Sequence, residues 1–150
     1  MQTREQFVIS ARDAAAKAGH IWPEYAACEA ALESNFGTSK LATEGNNLFG
    51  RKQSHAHPVY DTVSIATMEY VNGDQYHVMA QWVKYPDIAT CFSDRMDTLR
   101  RLRTVYTEYN DALHAPDGYT FVCDVSHRWS TDPDRAKKVL YLYATFKRVL

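Results

Sequence analysis

The sequence predicts an α+β fold that is mostly helical, with one small β-hairpin lobe. Three observations carry that reading. Apolar residues recur at three- and four-residue spacing along most of the chain, the pattern of amphipathic helices. Residues 59 to 85 instead favour strand, with Thr62, Val63, Ile65, Thr67, Tyr70, Tyr76, Val78 and Trp82 around an Asn72-Gly73 pair, the strongest short hairpin signal. The 150 residues contain no repeat, linker or low-complexity segment, so residues 1–150 are expected to form one domain, long enough to bury roughly 70% of its unfolded surface.

The elements follow in order. Thr3 and Gln6 make a capping box for a helix over residues 4 to 18, with Phe7, Ala11, Ala14 and Ala18 on one face and Gly19 as its stop. Ile21-Trp22-Pro23 opens a second helix, Pro standing near its first position. That helix is narrow because Ala26, Ala27, Ala30 and Ala31 carry so little side chain, and neighbours can approach closely. It ends between Ser34 and Gly37, and a short helix follows before Asn46. Residues 54 to 58 read as loop. Beyond the hairpin, Tyr85-Pro86-Asp87 caps a long helix with Ile88, Phe92, Met96, Leu99, Leu102 and Tyr106 along one face and Arg100, Arg101 and Arg103 on its solvated side. Pro116-Asp117-Gly118 is a turn, a shorter helix covers about 119 to 127, and Thr131-Asp132-Pro133 starts the last one. Its inward stripe is Val139, Tyr143, Phe146 and Leu150.

Composition excludes several classes. A net charge of −1 is not the basic field of a nucleic-acid binder. No apolar run reaches membrane-span length. The three cysteines, Cys28, Cys91 and Cys123, are widely spaced and form no C-x-x-C pair, so each reads as a small buried hydrophobe. His55 and His57 stand two apart, but no further ligands of metal-site spacing accompany them, and no metal or cofactor is expected. Ten tyrosines, six phenylalanines and three tryptophans suit a core and equally a groove that stacks on sugar faces.

The organising stretch is residues 31 to 52, ALESNFGTSKLATEGNNLFGRK. It places Glu33 at the last turn of the second helix. Set among Phe36, Leu48 and Phe49, this carboxyl is expected to be poorly solvated and to hold its proton, as a general acid must. Glu29 precedes it by one helical turn, and its like charge is expected to favour the protonated form of Glu33.

The same residues resemble the glucosaminidase family of peptidoglycan hydrolases, glycoside hydrolase family 73, which includes the flagellar muralytic domain. Its motif resembles Ala30, Glu33, Ser34, Gly37, Ser39, Leu41 and Ala42, followed by Asn46-Asn47-Leu48-Phe49-Gly50. Three further stretches are similar: Thr67-Met68-Glu69 to Gly73 on the hairpin, Trp82-Val83-Lys84-Tyr85, and Thr131-Asp132-Pro133. The chain departs from the family pattern at Glu29 (often Gln), Asn35 (Gly), Phe36 (Trp) and Arg135 (Tyr). The resemblance implies a lysozyme-like domain that hydrolyses peptidoglycan glycan strands as an endo-β-N-acetylglucosaminidase. Glu33 is then the acid and Glu69 the second carboxylate, a base for water or an electrostatic stabiliser. Phe36, Asn47, Phe49 and Tyr60 are candidate groove residues. Cleavage as a muramidase or lytic transglycosylase, or a catalytically dead peptidoglycan-binding module, are the alternatives. A monomer is expected, with no nucleic-acid or membrane partner. It would act in the periplasm or at the cell wall. The N-terminal MQTREQF lacks a basic region followed by an apolar one, so release by phage lysis or delivery by a secretion system is the expectation.

Overall fold

A computed structural model of the protein describes residues 1–54 and 59–150, and the backbone without the side chains of residues 69 and 70. The histidine pair at positions 55 and 57 lies outside the described residues. The elements run α1 (Arg4–Lys17), α2 (Pro23–Ser34), α3 (Lys40–Gly45), β1 (Asp61–Val71), β2 (Asp74–Lys84), α4 (Ile88–Leu102), α5 (Thr107–Leu113), α6 (Gly118–Trp129) and α7 (Arg135–Phe146). No helix among the described residues is long and apolar enough to cross a membrane.

Helix α2 is the axis of the body. Residues 26 to 31 have no accessible surface at all, Glu29 included. A run buried on every side needs small residues, and alanine at 26, 27, 30 and 31 lets α1 and α7 close over it. One core cluster, with Phe7, Val8, Phe49 and Phe92, lies against one side of this helix. A second, with Met96, Leu99, Phe121, Val122, Val125 and Val139, lies against the other, and Trp129, Leu142 and Leu150 border both. Gly118 permits the closest approach, since a Cβ there would stand 2.1 Å from the Tyr25 ring. Tyr25 in turn stacks on Tyr143 of α7, with ring centroids 4.0 Å apart.

Local signals set most boundaries. The Thr3–Gln6 capping box forms in both directions, and Asp87 and Asp117 each accept a backbone N–H at the start of α4 and α6. Arg100, Arg101 and Arg103 are exposed. One boundary differs from the sequence reading. The long helix expected to carry Tyr106 ends at Leu102, whose carbonyl accepts from both Val105 and Tyr106 N–H, and a separate helix α5 begins at Thr107. The apolar spacing hid this break because Tyr106 still packs against the second cluster after the turn. Cys28 and Cys91 are buried and Cys123 half-buried, all three free thiols.

The hairpin pairs β1 and β2 antiparallel from Asp61↔Lys84 to Val71↔Asp74. Asn72 and Gly73 both have positive φ, 52° and 84°, as the tight turn of a two-residue hairpin demands. The base of this ribbon is held to the body. Val83 N–H donates to Arg51 O, Gln53 N–H to Gln81 O, and Gly45 packs on Val63 and the Val83 carbonyl. Farther out, Met68, Val71, Tyr76, Val78 and Met79 are exposed.

Asn47 is the tie between body and hairpin. Its Nδ2 donates to the carbonyls of Arg51 and Val83, both at 2.9 Å, and its Oδ1 accepts from Arg51 N–H at 3.0 Å. Asn47→Ala should therefore strand these buried backbone groups and cost about 1–3 kcal/mol, read by urea unfolding. A loss within ~0.5 kcal/mol, the range of neutral surface changes, would show that the tie is dispensable.

Candidate active site

Glu33 occupies the last turn of α2, and the chain reverses immediately after it. Asn35, Phe36 and Gly37 all have positive φ, at 48°, 54° and 77°. Such a run is strained for the two residues that carry a Cβ, so it needs external support. Ser34, 1% exposed, provides it: its Oγ donates to Ala30 O and accepts from Gly37 N–H. Gly37 is required twice over, because a Cβ there would also stand 2.7 Å from the Phe7 ring. The reversal leaves Glu33 at the surface with its carboxyl turned partly inward; the residue is exposed, and 25% of its side-chain surface is accessible.

What the carboxyl meets differs from the sequence expectation. Leu48 and Phe49 are core residues, and the partner of Glu33 is Arg135, whose Nε donates to Oε1 at 2.8 Å. Arg135 is 1% exposed. Its Nη1 donates to Ser126 Oγ and to Glu29 Oε2, each at 2.8 Å. Glu29 is completed by Arg95, which grips both carboxylate oxygens at 2.9 and 2.8 Å. The Arg95 guanidinium is itself enclosed by aromatic rings, 4.4 Å from the Trp129 centroid and 4.6 Å from that of Phe49.

Charge follows from this geometry. Burial alone would raise the pKa of Glu29, but Arg95 and then Arg135 outweigh it and hold the carboxyl down at about 2. The idea that Glu29 lends Glu33 an uncompensated like charge is thereby corrected, since two guanidinium groups neutralise it. His20, 4% exposed, sits behind Arg95. Its Nε2 lies 3.3 Å from Arg95 Nη1 and its Nδ1 lies 2.6 Å from Ile21 O. Because arginine only donates, Nε2 accepts and Nδ1 carries the proton. Burial, and then the Arg95 charge, push the pKa of His20 down to about 3.

The remaining candidates separate into three groups. Asn47 and Phe49 are 1% and 6% exposed and were expected to line a groove; in this conformation the first is consumed by backbone bonds and the second by the core. Phe36 is half-buried, edge-on to Phe7 and Phe146, and lines an open apolar groove of about 580 Å³ with Leu32, Asn35, Lys137 and Tyr141. Tyr60 is also half-buried, edge-on to Tyr85, beside a polar cavity of about 220 Å³ with Arg51, Asp94 and Asp97. Arg51 Nε holds Asp94 at 2.7 Å there, and the buried Tyr85 hydroxyl donates to the same carboxylate. Glu69 lies on β1 opposite Tyr76, two pairs from the turn; its side chain is outside the described residues. On the other flank of Arg135, Ser126, Ser130, Thr131 and Asp132 line an open cavity of about 760 Å³.

Sequence reasoning missed both arginines. Arg95 lies between Phe92 and Leu99 on the apolar stripe of α4, and a charge inside such a stripe signals a buried partner. Arg135 stood out only as a departure from a motif.

A helical body, a two-stranded lobe and a carboxylate at the end of the central helix define the lysozyme-like architecture. The chain belongs to the Glucosaminidase family, described as mannosyl-glycoprotein endo-beta-N-acetylglucosaminidase, whose model matches residues 9–148. The catalytic domain of the autolysin Auto from Listeria monocytogenes has a similar structure, with a TM-score of 0.80 at 27% identity, covering 99% of this chain and 88% of that one. The glycoside hydrolase domain of Salmonella typhimurium FlgJ shares the fold, with a TM-score of 0.76 at 22% identity over 97% and 99% of the two chains. The exo-glucosaminidase LytG of Bacillus subtilis is 29% identical over 80% of this chain, which spans 42% of that relative's length.

Acid should weaken this fold through two groups. Glu29 has its folded pKa below its ordinary value, so its stabilisation is complete above about 4.5 and fades as pH falls toward about 2. His20, buried and neutral, binds its proton more readily once unfolded, so stability also declines as pH falls from 6.5 toward about 3. Each group takes up about one proton on unfolding within its own window. Urea titrations from pH 7 to 2.5 should show this fall, and His20→Gln should flatten the part above pH 4.5. An unchanged slope in that variant would contradict a buried neutral His20.

Proposed function

We propose that this chain hydrolyses the glycan strands of peptidoglycan as an endo-β-N-acetylglucosaminidase, with Glu33 as general acid. The observation that supports this most is the state of Glu33 itself. One oxygen is fixed by Arg135, and the other has no partner among the described residues and belongs to a residue open to solvent. An apolar groove carrying Phe36 and Tyr141 adjoins the end of α2, and a polar one carries Asp132 and Ser126, the hydroxyl that Arg135 holds. Apolar faces suit the faces of sugar rings, and hydroxyl-rich walls suit their edges.

In the reaction, Glu33 gives its proton to the glycosidic oxygen, which departs with the bond electrons as an alcohol. A water then adds to the anomeric carbon, and Glu69 takes its proton. The hairpin would deliver Glu69 by closing over the bound glycan, as its lightly held outer half allows. Phe36 and Tyr60 are the proposed sugar contacts, with Asn47 and Phe49 supporting the walls from beneath. The proposed substrate also puts the enzyme's work outside the cytoplasm, at the cell wall, with the chain acting as a monomer.

Glu33→Gln keeps the shape and removes the transferable proton. Clearance of purified cell walls should fall by at least ~10²-fold with thermal unfolding unchanged, and near-normal turnover would remove Glu33 from the mechanism. Mass spectrometry of borohydride-reduced products tests the bond: reduced glucosamine ends are expected, whereas reduced muramic acid ends or anhydro ends would indicate a muramidase or a transglycosylase. Sedimentation with walls without any clearance would indicate a binding module.

Glu69→Gln should also cut turnover strongly while leaving wall binding intact. Activity close to normal would replace the two-carboxylate route with a single-acid or substrate-assisted one.

A further inference from the structure

The contact between Arg135 and Glu33 uses half of what the arginine offers. In a planar guanidinium, Nε–H and one Nη2–H point along the same edge, the fork that usually takes both oxygens of a carboxylate. Here Nε holds Glu33 Oε1, while Nη2, buried on the same edge, has no hydrogen-bond partner among the described residues. Leaving a buried donor unmet is costly, and the carboxyl that Nε already holds on that edge brings a second oxygen, Glu33 Oε2. The guanidinium is also fixed against rotation, because Nη1 is pinned between Ser126 Oγ and Glu29 Oε2.

Resting on the reading of Glu33 as the acid, we propose that Arg135 is a positioning residue that selects Oε2 as the reacting oxygen and receives it after reaction. While Oε2 carries the proton it is a much weaker acceptor for Nη2 than a carboxylate oxygen, and the pair stays single. When that proton passes to the glycosidic oxygen, the C–O bond breaks and its electrons leave with the alcohol. Glu33 becomes a full carboxylate, and a small turn of its terminal torsion closes the second bond to Nη2. The interaction is therefore stronger after proton transfer than before it, which is the condition for lowering a barrier rather than tightening substrate binding. Arg135 touches no sugar in this scheme and acts through Glu33.

The effect belongs in kcat. Arg135→Gln should fold, because Arg95 alone still neutralises Glu29 through both oxygens. On a soluble glycan of defined length, this variant should lose kcat by ~10- to 100-fold, the cost of misplacing a reacting group, with KM changed less than about twofold. Arg135→Lys keeps one charged donor and should fall between the two; it also serves if the glutamine variant melts below the assay temperature. A kcat equal to the parent's, a loss confined to KM, or equal losses in both variants would overturn the proposal. Those results would leave Glu33 as the acid, and only activity in Glu33→Gln would overturn that.

Discussion

A buried carboxylate shared by two arginines is the constraint on which this structure depends. Glu29 lies at the centre of the most enclosed helix in the molecule, where an isolated charge would cost many kcal/mol. Arg95 and Arg135 resolve that cost with paired, short hydrogen bonds. In doing so they fix the distances between α2, α4 and α7, because Arg95 must reach both oxygens and Arg135 must reach Oε2, each from its own helix. Such a cluster gives less net stability than an apolar core of equal volume would. Its value here is geometric.

The geometry reaches the surface through one side chain. Arg135 spends Nη1 on Glu29 and Ser126 and Nε on Glu33. The position of the candidate acid is therefore set from inside the core. The strained reversal at 35 to 37 is compatible with this, since Ser34 and Phe7 hold it from below. The hairpin is built to the opposite specification. Its base is sewn to the body by Asn47 and residues 51 to 53, while its outer half exposes apolar side chains.

Much of this was legible in the sequence, and the exceptions have a common cause. Capping residues, the Asn-Gly turn and the Ala-rich helix are local signals, and they located nearly every element. The break after Leu102 escaped because apolar spacing continued through it to Tyr106. The motif singles out Glu33 as the candidate acid, but its neighbours differ from those its sequence surroundings suggest: Leu48 and Phe49 are close in sequence but turn into the core, and its partner lies 102 residues away. Asn47 was read as a sugar contact because asparagines often are, whereas two carbonyls and an amide at the hairpin base compete for it and win. Glu29 read as a charge left over, since nothing local announces that two arginines from distant helices converge on it. Periodicity reports which face is inward; it does not report which charges meet there.

The most direct test of the shared-carboxylate account is a double-mutant cycle between Glu29 and Arg135, using Glu29→Gln, Arg135→Gln and the pair, with stability read by urea unfolding at pH 7. Contacting residues of one buried network should couple by ~0.5–3 kcal/mol, with the double variant less damaged than the sum of the singles. Additivity within ~0.3–0.5 kcal/mol, as independent sites show, would mean that Arg135 does not share Glu29 with Arg95, and the core would no longer explain where Glu33 stands.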